Sequence, residues 1–119
     1  MKIKYCKYIP FKGFYALCLF DYIIIRKEYE DGPVSSRTVN HESIHAAQAR
    51  DFGIGFCGYF IFYLLYLLEW ILKIPCAIFG YHPYSSISFE IEAYENDCDL
   101  TYLQNRKQFT WIKNIFKFR

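Results

Sequence analysis

The stretch His41-Glu42-Ser43-Ile44-His45, continued by Ala46-Ala47-Gln48-Ala49-Arg50, decides how the rest of this chain must be arranged. On a helix, residues four apart share one face a turn apart, so both imidazoles can reach a single tetrahedral Zn²⁺. Glu42 then flanks the open coordination position. A carboxylate there can take a proton from metal-bound water, whose pKa zinc lowers to about 7, and pass it to a leaving amine. The plain alternative is a surface helix with two solvated histidines. Against it, these are two of only three histidines in the chain. The segment also has the makings of a helix: Ser35, Ser36 and Thr38 are available as N-caps after the Asp31-Gly32-Pro33 turn, and residues 45–50 are rich in helix formers. We expect the motif helix over about 35–51.

Upstream, residues 3–29 are dense in Tyr, Phe and Ile and punctuated by Pro10 and Gly13, which favours two or three strands forming a hairpin or small sheet. Lys2, Lys4 and Lys7 precede this apolar stretch as in a secretory signal. Asp21 interrupts it, however, Pro10, Lys12 and Gly13 break its start, and no small-x-small site follows, so no cleaved signal is expected. Downstream, Gly53 and Gly55 break the pattern before a strongly apolar segment, 56–74, that Pro75 ends. A third helix is expected over about 86–104, and a basic tail, 106–119, carries Phe109, Trp111, Ile112, Ile115 and Phe116 at roughly helical spacing.

At 119 residues the chain is long enough for one domain and its core but not for two. Its aromatic content is 22 % and its net charge only +2, so no global field argues for nucleic acid. The cysteines Cys6, Cys18, Cys57, Cys76 and Cys98 are odd in number and form no CxxC, and read as buried free thiols of a reducing, cytoplasmic compartment. Residues 52–68 carry no Lys, Arg or Glu after Asp51 and reach the lower length of a membrane span. A single crossing there would separate His41 and His45 from any ligand on the later helix. The segment is instead expected as a core helix, buried on most sides, with a Glu69–Lys73 pair and an exposed remainder used for peripheral membrane contact or a homodimer.

An HExxH site needs a third protein ligand. The extended HExxHxxGxxH pattern is absent, because Gln48 and Asp51 stand where Gly and His would be. His82 sits in a Gly/Pro loop and reads as a turn residue. The acidic run from Phe89 to Asp97 is the better source. At 100° per residue, Ile87, Ile91, Tyr94, Cys98, Thr101 and Tyr102 form one stripe, with Glu90 and Asp97 at one edge, Glu95 near the other, and Glu92 and Asp99 pointing away. Glu90 is therefore expected as the ligand and Glu92 as solvated. A helix N-terminus also favours acidic residues through its dipole, which would account for any of these carboxylates without a metal.

His41-Glu42-x-x-His45 followed by Glu90-x-x-Ala93 on a later helix resembles the gluzincin class of zinc metallopeptidases, and the small size resembles the single-domain minigluzincins. The stretch from Asn40 through Phe62-Tyr63 and Glu69-Trp70 to Tyr94 is also similar to a group of small uncharacterised bacterial proteins most familiar from Bacteroidetes. The resemblance covers about residues 36–104. It implies His41, His45 and Glu90 as ligands of one zinc ion, Glu42 as general base, a peptide or protein substrate, and an upstream strand that receives an extended peptide by edge pairing. Where the gluzincin pattern often has an Asp four residues after its ligand Glu, this chain has Tyr94, with Asp97 one turn on as a substitute. Tyr81, His82, Tyr84 and Tyr94 are the candidates for stabilising an oxyanion. The expectation is thus an α+β domain in which a small N-terminal sheet packs on a helical bundle carrying the HExxH helix and the Glu-ligand helix. Its leading reading is a zinc metallopeptidase. A zinc-stabilised binding or scaffold protein is the second, and an intramembrane zinc protease, for which no Asp-Gly motif on a later apolar helix is found, is the third.

Overall fold

A computed structural model describes residues 2–8 and 14–119; Pro10, Lys12 and Gly13, read above as breaks, lie outside the described residues. The chain is α+β. Strands β1 (Lys2–Cys6), β2 (Ala16–Leu19) and β3 (Tyr22–Arg26) form one sheet in the order β1-β3-β2, parallel between β1 and β3 and antiparallel between β2 and β3. Helices α1 (Ser36–Arg50), α2 (Phe56–Lys73), α3 (Ser88–Asn96) and α4 (Tyr102–Asn105) follow, with 3₁₀ turns at Ile74–Phe79 and Thr110–Asn114.

The β2–β3 hairpin turns on Phe20 and Asp21, both left-handed at φ 49° and 69°, as a two-residue type I′ loop demands. Aspartate tolerates that conformation and phenylalanine does not favour it. Helix α2 supplies the compensation: the Phe20 and Asp21 amides donate to the hydroxyls of Tyr63 and Tyr59 at 3.3 and 2.8 Å, and the Phe20 ring stacks on Phe56. The tip of the hairpin is thereby held on α2, and β2, an edge strand, is laid beside α1.

Helix α1 begins where Ser35 Oγ accepts from the Thr38 amide at 3.1 Å. Its end lies so close to the start of α2 that a Cβ on Gly58 would fall 2.2 Å from the Gly53 carbonyl oxygen and 2.7 Å from that of Ala49. Only glycine permits this crossing. Helix α3 forms the centre of the domain, with Ser88 through Ala93 all buried. Phe89 packs among Phe52, Phe62, Tyr66 and Trp111. The N-terminus of α3 lacks a local cap, and Glu69 of α2 takes that role, accepting from the Ser88 amide at 2.7 Å and its hydroxyl at 2.6 Å.

Four expectations need correction. The helix drawn over 86–104 stops at Asn96. Asn40 of α1 reaches across to the carbonyls of Asn96, Asp97 and Asp99, while the Asp99 carboxylate accepts from the amide and hydroxyl of Thr101, so the polar run 96–99 satisfies itself as a turn rather than as helix. Glu92 is not solvated: it is fully buried against Arg106. Cys57 and Cys98 are exposed and Cys6 is only partly buried, although all five thiols are free and Cys18 and Cys76 are buried as expected. Finally, α2 is not buried on most sides. Of its residues only Gly58, Tyr59, Phe62 and Lys73 are buried, and it clasps the domain by one face. The expected Glu69–Lys73 pair is present at 3.0 Å and is part of that inward face.

Candidate metal centre

Three side chains from two helices converge on one point. Helix α1 presents His41 and His45 one turn apart, and α3 presents Glu90 from its buried first turn. Glu90 Oε1 lies 3.2 Å from His41 Nε2, and Oε2 lies 2.8 Å from His45 Nε2. One donor atom from each residue lies within 4.8 Å of the others. Among the described residues this is the one group of three such side chains so disposed.

The other nitrogen of each imidazole is already committed. Gln48, three residues after His45, gives its amide nitrogen to the Phe89 carbonyl at 2.9 Å and to Glu92 Oε1 at 3.0 Å, both pure acceptors. Its oxygen therefore faces His45 Nδ1, at 2.8 Å, and that nitrogen must carry the proton. Asp97 Oδ2 does the same for His41 Nδ1 at 3.0 Å, while Oδ1 accepts from Arg37 Nε at 2.9 Å. In the neutral imidazoles both Nε2 atoms then hold lone pairs aimed at a carboxylate. Such an arrangement repels unless a cation or a proton sits among the three. Two neutral imidazoles and a carboxylate are a donor set suited to zinc, and both imidazoles have the fixed tautomer that metal-ligating histidines carry. The group fits.

The electrostatics agree with an anionic Glu90. Burial raises its pKa, but the two imidazoles outweigh burial and hold the carboxyl far below the usual range. For His45, burial opposes the charged form, and the Glu90 carboxylate more than reverses this, pushing it up to about 9. Tyr66 of α2 also donates to Glu90 Oε2 at 2.8 Å and hydrogen bonds with Tyr84.

Compared with known proteins, the chain matches no protein-family model, no curated protein and no solved structure. What the site can do follows from its own chemistry.

Glu42 is buried beside the three donors, and its carboxylate accepts from the backbone of Cys18 in β2. Burial raises its pKa, and His45 and His41 draw it back down. It lines two depressions that meet at the centre. One, of about 270 Å³, is bounded by Leu17, Phe62, Tyr63, Tyr66 and Tyr84 and is mostly apolar. The other, of about 480 Å³, is the more open and polar, running past Arg37, His41, Tyr94 and Asp97. Ala16 of β2 borders both.

Of the oxyanion candidates, Tyr84 and Tyr94 border this cleft, and Tyr94 packs edge-on against His41 with ring centroids 4.7 Å apart. His82 and Tyr81 do not line it; both are exposed, and Tyr81 packs on Phe118. Gln48 and Tyr66 are the residues that sequence reasoning missed. Gln48 sits at i+3 from His45, the spacing of side chains that touch on one helix face, and that signal was available. Tyr66 gave only a place on an apolar helix, with nothing to tell inside from outside.

Proposed function

We propose that this protein is a small zinc-dependent peptide hydrolase of gluzincin type, with His41, His45 and Glu90 as ligands of one zinc ion and Glu42 as general base. The observation that carries the reading is the tautomer of both imidazoles: Gln48 and Asp97 hold the Nδ1 protons, so both Nε2 lone pairs converge with Glu90 on one point. Zinc, when bound, supplies a Lewis acid that polarises a carbonyl and acidifies water.

The chain's own residues supply the rest. Glu42, next in sequence to His41, has its hold on a proton strengthened by burial and weakened by the two histidines, so it can take up a proton and give it back. The edge strand supports an extended substrate. In the β2–β3 ladder Arg26 donates to the Tyr15 carbonyl, so Tyr15, Leu17 and Leu19 bond inward, and Ala16 and Cys18 turn their amides and carbonyls outward. Cys18 is engaged by Glu42 and by Tyr63, whose hydroxyl donates to its carbonyl at 3.0 Å. Ala16 offers its outward groups to a peptide laid along the cleft. The apolar depression beside Glu42 suits an apolar side chain of that peptide. The free thiols fit a reducing compartment, so the cytoplasm is its expected place of work.

The test is the zinc content of the purified protein by elemental mass spectrometry, for wild type, His45→Ala and Glu90→Gln, followed by cleavage of a peptide library. One zinc per chain, lost in both variants, with cleavage abolished in Glu42→Gln, supports the reading. No zinc, or zinc retained in Glu90→Gln, overturns it. The second reading, a zinc-stabilised scaffold, is favoured by Tyr94 standing where gluzincins often place an Asp; zinc without cleavage of any peptide would select it.

A further inference from the structure

Helix α2 turns its charges inward. Its two charged residues, Glu69 and Lys73, both point into the domain, where they pair with each other and where Glu69 caps α3 and Lys73 donates to the carbonyls of Ser86 and Lys117. Its outward face is wholly apolar: Phe56, Phe60, Leu64, Leu67, Ile71 and Leu72 follow at helical spacing and are exposed, Phe56 and Leu72 each at 69 %. The following turn continues the face, with Ile78 83 % and Phe79 79 % exposed. Placing both charges inward and this stripe outward is unfavourable against water, since contiguous exposed apolar surface of this kind marks an interaction site.

The charge of the segment fastened to the end of the stripe names the occupant. Lys73 reaches the Lys117 carbonyl at 3.0 Å, which fastens the C-terminal segment to the end of α2, and Phe118 shares a hollow with Leu72 and Phe79 there. From Leu100 to Arg119 there is no acidic residue. The charges exposed in that segment are Lys107, Lys113, Lys117 and Arg119, all cationic. Between Phe52 and Phe89 the single acid is Glu69, partly buried and turned inward. The same basic segment on a second copy would oppose it, whereas an anionic surface complements it.

We propose that the outward face of α2, extended by the 74–79 turn and joined at its end by the basic C-terminal segment, lies flat on an anionic lipid surface. The segment Phe56–Phe79 is long and apolar enough to cross a bilayer. Crossing would carry the groups strapped to its inner side into hydrocarbon: exposed Asp21 and Arg50 beside Tyr59, and the polar cleft along α1. Lying flat immerses the apolar face and leaves those groups in water. This inference stands whether or not the metal centre is catalytic.

The test is flotation of the full chain with vesicles of phosphatidylcholine alone or mixed with phosphatidylglycerol, with the sedimentation state measured without lipid. The expected result is a monomer that floats with the anionic vesicles, at least tenfold less with neutral ones, and progressively less as salt is raised. Leu64→Glu/Leu67→Glu should abolish flotation and Lys113→Glu/Lys117→Glu should cut it at least tenfold, with zinc content and helical circular dichroism unchanged in both. Trp70, half-exposed at the margin of the stripe, should be quenched by shallow rather than deep lipid quenchers. Flotation with neither vesicle, equal flotation with both, deep quenching, or a lipid-free dimer that Leu64→Glu/Leu67→Glu dissolves would each overturn the proposal.

Discussion

Gln48 accepts the Nδ1 proton of His45 at 2.8 Å while its amide nitrogen is locked between the Phe89 carbonyl and Glu92. The glutamine therefore sets which nitrogen of His45 faces Glu90, and it can do so only in one orientation. Replacing it with leucine leaves the ring free to flip and removes the acceptor. Gln48→Leu is expected to weaken zinc binding about 10- to 100-fold, measured by competition with a chromophoric chelator. Asp97→Ala is expected to do the same through His41, and a variant with undiminished affinity would remove the tautomer argument.

Glu42 is flanked by the proposed ligands without being one of them. Glu42→Gln keeps the side chain's shape and its place against Cys18 but cannot take up a proton. We expect one zinc per chain to be retained and peptide hydrolysis to fall about 10²- to 10⁴-fold, the usual contribution of a general base. Loss of zinc in this variant would mean that Glu42 ligates the metal rather than serving it.

Proton and metal compete for His45. In metal-free protein the Glu90 carboxylate, working against burial, lifts the folded-state pKa to about 9 from an ordinary 6.5. The retained proton therefore favours folding fully below pH 6.5, and that contribution is lost as pH rises through about 9. Urea denaturation in chelator should show stability declining across this window. Zinc binding must expel the same proton, so its affinity should rise about tenfold per pH unit over the same range. Affinity that is flat with pH would show that His45 is already neutral.

The legible and illegible parts of this molecule divide by range of interaction. His41, Glu42 and His45 could be read because four residues make one helical turn, and Glu90 because a stripe of apolar residues orients its helix. Glu92 could not be read. It lies away from that stripe and its partner, Arg106, comes 14 residues later on the far side of a turn that sequence reading drew as helix. The outward face of α2 was hidden for a related reason: hydropathy reports that a helix is apolar, not which side the domain occupies. Only the inward turn of Glu69 and Lys73 shows that.

Arg106 deserves a variant of its own because it joins the ends of this network. Its guanidinium meets Asp51 at 3.0 and 2.7 Å and Glu92 Oε2 at 2.5 Å, and Glu92 in turn holds Gln48. Arg106→Met would strand two buried carboxylates. Breaking a buried pair from one side typically costs about 3–5 kcal/mol, which urea denaturation of the zinc-loaded protein would register. Arg106→Met combined with Glu92→Gln should recover part of the loss, because the glutamine can still accept from Gln48 without a buried charge.

The edge strand offers the sharpest test of how a substrate lies. Tyr15, Leu17 and Leu19 spend their backbone groups on β3, whereas the amide of Ala16 points away from the sheet. A proline is tolerated in an edge strand where its missing N–H faces outward. The residue before it must be extended, and Tyr15 enters a strand. Ala16→Pro should therefore keep the hairpin, the helices and the bound zinc while removing the outward donor that Ala16 presents to a peptide in the cleft. Leu17→Pro, a residue away, removes a ladder bond and should disturb the sheet itself. If peptides pair with β2, Ala16→Pro raises KM about tenfold or more, the worth of a lost hydrogen bond to a buried partner, with far-UV circular dichroism and zinc content unchanged. An unaltered KM would mean that the substrate is held by the apolar depression alone.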